Sequence, residues 1–262
     1  MRRVVTIVRK EWSEVFRNRL VLTTFAVLPV TFLVLALMSF VGVRQLGSMS
    51  EEAVEDVPEE FAAVCEGLAG VECAEAYIGT IFLLLFMILP LLMPNSFAAY
   101  SVVGEKVSRT LEPLLATPIR TGELLLAKAL AAIVPSMAAT WLAVGAYAVG
   151  LFLIPGPEVA RTVLAPHWIL ALLVFAPLAC VFSAMVALMV SSIAREPRTA
   201  EMVTGVVVTP FVVLILGQIM GLMIVDGTLV LLACVFALAG DLMLAWLAVL
   251  VFDRENILTR WR

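Results

Sequence analysis

Residues 77–103 read YIGTIFLLLFMILPLLMPNSFAAYSVV and are followed at 104–128 by GEKVSRTLEPLLATPIRTGELLLAK. The first stretch has no Asp, Glu, Lys or Arg, and it exceeds the roughly 20 apolar residues that a helix needs to cross bilayer hydrocarbon. In that medium every backbone polar group must be satisfied internally, so the stretch is expected to be helical. The second is charged and proline-punctuated, and it ends in another apolar run. The chain therefore crosses a membrane, makes a short polar excursion and re-enters.

Outward from this pair, apolar stretches of spanning length recur near 20–43, 124–154, 168–193, 203–225 and 228–252, making six with 77–103. The composition agrees: 63% of residues are hydrophobic and 15% charged, against about half and a quarter in soluble domains. The mean hydropathy is +1.08. The expected fold class is an all-α integral membrane protein, one transmembrane domain over 1–262 with six spans. Lys and Arg fix its orientation, because short cytoplasmic loops are enriched in them. Arg2, Arg3, Arg9, Lys10, Arg17, Arg19, Lys106, Arg109, Arg120, Lys128, Arg195, Arg198, Arg254, Arg260 and Arg262 collect on one side, and only Arg44 and Arg161 on the other. Both termini and the loop 104–123 are then cytoplasmic, with a tail at 253–262. The first apolar run is long and lacks a small-residue cleavage site, so it is expected to persist as a span.

Within 104–128, Thr110 suits a helix N-cap, Glu112 falls in the first turn where the helix dipole favours an anion, and Pro113 is tolerated there. Leu111, Leu114 and Leu115 share one face at i, i+3 and i+4. Pro118 turns Thr117 away from helix and ends the element, and Thr121 with Glu123 opens the next. The product is a short, capped, leucine-faced helix at the membrane surface. Its plainer alternative is an amphipathic linker at the lipid interface.

Glu105, Thr110-Leu111-Glu112, Leu114-Leu115, Thr117-Pro118, Glu123 and Lys128 together resemble the cytoplasmic loop of ABC-2 type permeases, the membrane subunits of a class of ABC transporters. That family's usual Gly before Thr-Leu-Glu is Arg109 here, and Pro113 follows Glu112. The resemblance implies that Glu105, Thr110, Leu111, Glu112, Leu114, Leu115, Thr117 and Pro118 form a coupling helix docking on a separate cytoplasmic ABC ATPase. It further implies a homodimer or heterodimer of permeases in the plasma membrane, moving substrate outward. The tail from Phe252 to Leu258 resembles those of many such permeases. No Gly-x-x-x-x-Gly-Lys-Ser/Thr loop occurs, so ATP and Mg belong to the partner, and no cofactor is expected on this chain. His-Glu-x-x-His, Gly-x-Ser-x-Gly and Cys-x-x-Cys are absent too, and the single His excludes an intramembrane zinc protease. No role in nucleic-acid binding is expected.

Residues 1–19 predict an amphipathic surface helix, with Val4, Val5, Val8, Trp12, Val15 and Phe16 on one stripe and a basic remainder suited to anionic headgroups. In the resembled family a helix placed here also contacts the ATPase. The loop 44–76 carries nine carboxylates and is expected to face outward, as a solvated insert or a weak attractor of cations. In it Cys65 and Cys73, within CEGLAGVEC, are expected to form a disulfide, with free thiols or a metal pair as alternatives. Cys180 and Cys234 read as packing residues.

Inside the spans, Pro90, Pro94, Asn95 and Ser96 predict a break that must be satisfied by protein or a cavity, and Asn95 is a candidate pathway residue. Arg195, Arg198 and Glu201 read as an interfacial ion-pair cluster. Asp241 falls near the middle of the last span, where a charge costs about 2.5–3.5 kcal/mol on insertion scales. It needs a partner or water, as a pathway site, a protonated acid or a hydrogen bond to another span; Asp241 and Gln218 are candidate pathway residues, and Gln218 is also its candidate partner. His167 beside Trp168 reads as a boundary residue. Two rival functions follow from these features: a carrier driven by an ion gradient through Asp241, and a scaffold that recruits a cytoplasmic protein without transport.

Overall fold

In a computed structural model the described residues are 2–16, 19–47, 65, 67, 68, 70–107, 121–194, 196–220 and 227–251. They are helical almost throughout, with no strand among them, and include six helical segments long and apolar enough to span a membrane.

Helix α1 is Arg2–Val15 and α2, the first span, is Arg19–Gly47. The second span is made of two pieces, α3 (Val71–Phe86) and α4 (Leu89–Val107). Pro90 causes the join. It has no N–H for the carbonyl of Phe86, and the chain substitutes a tight turn in which Met87 N–H reaches Leu84 O at 3.0 Å and Ile88 N–H reaches Leu85 O at 3.1 Å. The third span, α5 (Thr121–Leu153), runs to the opposite side. There the short helices α6 (Pro157–Val163) and α7 (Pro166–Leu170) lead into the fourth span.

That span opens with a π-helical turn, Ala171–Phe175, before α8 (Ala176–Ile193). Pro177 withholds the N–H that would bond the carbonyl of Leu173, and the wider turn gives its ring room. The fifth and sixth spans are α9 (Pro197–Ile219) and α10 (Gly227–Val251).

Packing is uneven. Helix α8 is central, lying against α4, α5, α9 and α10. The main core joins spans one to four through Phe40, Phe86, Tyr147, Leu151 and Cys180, all nearly inaccessible. Tyr147 Oη donates to Gly79 O at 2.6 Å, and a Cβ on Gly79 would lie 2.8 Å from Val163 Cγ2, so only glycine allows this close approach. By contrast α2, α9 and α10 leave long apolar faces exposed, Val206, Phe236 and Trp246 among them. In a bilayer such faces meet lipid or another chain.

Candidate functional site

Two polar contacts and one cavity organise the interior. The first contact lies where α1 crosses the start of α5. Lys128 Nζ donates to Glu11 Oε1 at 2.9 Å, with both side chains almost fully buried. One turn on, Trp12 Nε1 donates to Ala131 O at 3.0 Å, while Ile7, Leu124 and Ala127 pack beside the pair. The buried stripe of α1 thus runs through Val4, Ile7, Val8, Glu11 and Trp12. Val5 and Phe16, also on the apolar stripe read from the sequence, are not covered by the bundle. An ammonium taken out of water requires a carboxylate, and Glu11 on α1 supplies one to Lys128.

The second contact ties the second span to the fifth. Ser96 Oγ donates to Glu201 Oε1 at 2.6 Å and Asn95 Nδ2 to Glu201 O at 3.4 Å. Nearby, Ser183 Oγ donates to Leu91 O, joining the fourth span to the second. Glu201 is therefore satisfied by the broken span, and among the described residues Arg198 makes no ion pair with it, in contrast to the expected cluster. Arg195 lies outside the described residues.

The cavity, of about 560 Å³, sits between spans two, four, five and six. Both helix irregularities open onto it: Leu84, Met87 and Leu91 flank the α3–α4 join, and Ala171 and Phe175 bound the π turn. Among the described residues Gln218 is the only amide or charged side chain on its wall, which is otherwise apolar and rich in aromatic rings. On α10 the lining runs from Leu229 to Gly240, about 16 Å by helix rise, so the cavity extends from the far boundary to mid-span. Asp241 follows Gly240 in the chain but is not on the cavity wall; it is 7% exposed, with neither carboxylate oxygen hydrogen-bonded among the described residues.

These contacts locate the candidate residues. Gln218 lines the cavity but does not hydrogen-bond Asp241, correcting the partnership expected from sequence. Asn95 is buried beside Glu201, and Gln218 lies seventeen residues further along α9, about 26 Å away by helix rise. The two do not form one constriction. Glu105 is in the last turn of α4. Thr110, Leu111, Glu112, Leu114, Leu115, Thr117 and Pro118 lie outside the described residues.

On the far side Cys65 and Cys73 are joined, with Cα atoms 4.9 Å apart. Arg44 Nε donates to Glu75 Oε1 at 2.7 Å and Arg44 Nη2 to Pro155 O at 2.9 Å, clasping the first three spans together. Among the described residues no group of three or more His, Cys, Asp or Glu converges as a metal site. Sequence reasoning missed the Glu11–Lys128 and Arg44–Glu75 pairs. Part of their signal was available: Lys128 and Arg44 are each an isolated cation at the edge of an apolar helix, where a partner is required.

The fold and interior define a multi-pass helical membrane protein with a broken-helix cavity and no catalytic cluster among the described residues. The family model described as ABC-2 family transporter protein matches residues 5–251, nearly the entire chain, and the protein belongs to that family. It is a permease subunit of an ABC transporter, a membrane component without its own ATPase site. A comparison with individually curated proteins found no match.

Proposed function

We propose that this permease exports its substrate, driven by a separate cytoplasmic ABC ATPase that it engages through the loop 104–123. The family match over residues 5–251 carries the reading. ATP and Mg are held by the partner. The permease works as a homodimer or heterodimer in the plasma membrane with both termini cytoplasmic, as the Lys and Arg distribution favours. The exposed apolar faces of α2, α9 and α10 suit lipid and a second permease.

Helix α5 starts at Thr121, at the end of the docking loop, and seven residues further on Lys128 grips Glu11. A load on Leu111, Leu114 and Leu115 enters α5 through its first turn, and the buried ion pair makes α1 move with it. Closure of the ATPase dimer then biases the spans between inward-open and outward-open packings.

The test is Leu114→Asp combined with Leu115→Asp, expressed with the ATPase. The expected result is loss of co-purification by tenfold or more with normal membrane insertion. Unchanged co-purification would overturn the docking assignment.

A further inference from the structure

We propose that the cavity between spans two, four, five and six holds one acyl chain of a bilayer lipid from the leaflet opposite the termini, with the lipid's polar head at Gln218. The proposal goes beyond the permease reading and rests only on the spans crossing a membrane, not on the ATPase.

The cavity is a slot that opens sideways. Spans five and six, α9 and α10, are consecutive in the chain and both pack on α8, yet among the described residues their backbones make no substantial approach to each other. The cavity occupies the gap between them. Leu214 of α9 and Phe236 of α10 stand at its rim, 54% and 76% exposed, so the opening faces the surface that the bilayer covers. Met87, 3% exposed, and Phe175 belong to the two helix irregularities and form the inner wall.

Depth and polarity decide the occupant. The lining on α10 runs about 16 Å, from Leu229 near the start of that helix to Gly240 at mid-span, which is close to half of the roughly 30 Å of bilayer hydrocarbon. The slot thus has the depth of one leaflet. A spanning helix of a second copy needs a groove along the whole thickness, and this one stops halfway. Polarity runs in the same order as in a lipid. At the far boundary stand Gln218, next to the last residue of α9, and Trp168, a residue type suited to the headgroup zone. Deeper in, Phe182, Ala237 and Gly240 offer no polar side chain, and among the described residues no Asp, Glu, Lys, Arg or His lines the slot. A charged or strongly polar molecule would lie there without partners. Water would find a single amide where it needs about two to four polar groups. A space of about 560 Å³ that is apolar and open to hydrocarbon is filled by hydrocarbon, because its walls gain dispersion contacts that an empty slot forfeits.

The probe is phosphatidylcholine carrying a diazirine either at the end of one acyl chain or beside its carbonyl, mixed into nanodiscs of unlabelled phosphatidylcholine that hold the full chain. After illumination, mass spectrometry maps the labelled residues. The expected result is that the chain-end probe labels Met87 and Phe182 from within the slot, and the carbonyl probe labels Gln218 and Leu229. Ala237→Trp, which puts an indole into the slot, cuts the Met87 label roughly tenfold or more, while Leu238, which faces lipid, keeps its label within about twofold. Ala233→Phe is a second block, read in the same way. Label confined to lipid-facing residues such as Leu238 overturns the proposal, and so does undiminished Met87 label in both blocked variants. Label from a diazirine fatty acid added from water, with none from the phospholipid, overturns the bilayer lipid as occupant. A disulfide between two copies through Phe236→Cys in a Cys234→Ala chain, with Met87 unlabelled, gives the slot to a second permease and overturns it as well. None of these readouts involves the ATPase, so failure here with intact ATPase co-purification sinks the lipid site alone. Loss of co-purification with the slot labelled sinks the docking reading alone.

Discussion

Replacing Lys128 with Met is the most informative perturbation of the α1–α5 contact. The Glu11 carboxylate would stay at a position where its side chain is 3% exposed, without the ammonium now 2.9 Å away. Removing one member of a buried pair costs roughly 3–5 kcal/mol, whereas removing both is often nearly neutral. Helix α1 is also held by Trp12 on Ala131 and by Ile7, so the loss should appear as local opening and not as global unfolding. A cost of about 3 kcal/mol raises the open population by about a hundredfold. Hydrogen exchange with mass spectrometry, on nanodisc-embedded protein, reads this directly from peptides covering α1. Lys128→Met and Glu11→Gln should each accelerate exchange there by about that factor, and the double variant should recover most of the protection. If Lys128→Met exchanged within twofold of wild type, or the double variant were no better than either single, the pair would not be what seats α1.

Three further outcomes are expected. Gly79→Ala drives a methyl to within 2.8 Å of Val163 Cγ2 and should lower thermal stability by roughly 1–3 kcal/mol, visible in a melting curve; an unchanged melt contradicts the packing described for α3, α5 and α6. Arg44→Ala leaves Glu75, 1% exposed, with a buried carboxylate and should destabilise the far side by roughly 1–3 kcal/mol, with much of it restored by adding Glu75→Gln. Alkylation of native protein should label neither Cys65 nor Cys73 until a reductant is added; two labelled thiols without reductant would refute the bond.

The six spans were legible because lipid imposes a length and a uniform apolarity that survive any error in helix pairing, and the break in the second span was marked by Pro90. Which faces pair was not legible. Spans that are apolar all round carry little directional signal, so the centrality of α8 is absent from the residue pattern. The seat of α1 on the bundle was legible only in part. Val4, Val8 and Trp12 of the apolar stripe pack on the bundle, but the Glu11 contact with Lys128 joins two helices far apart in the chain and has no periodic trace. The cavity is likewise a product of four spans at once. Its traces in the chain are aromatic residues at 168, 175, 182, 211 and 236 and small ones at 171, 179, 233, 237 and 240, scattered over about seventy positions. Asp241 was conspicuous in the sequence because a carboxylate in a span needs a reason, yet its isolation from Gln218 required coordinates.

The central claim is that this permease is driven by a separate ATPase. It is tested most directly by affinity purification of the chain from its native membranes, with identification of co-purifying proteins and an ATP hydrolysis assay. The account predicts a stoichiometric P-loop ATPase whose hydrolysis depends on the permease being present. Recovery of the intact permease without such an ATPase, in a detergent that preserves other transporter complexes, would contradict it.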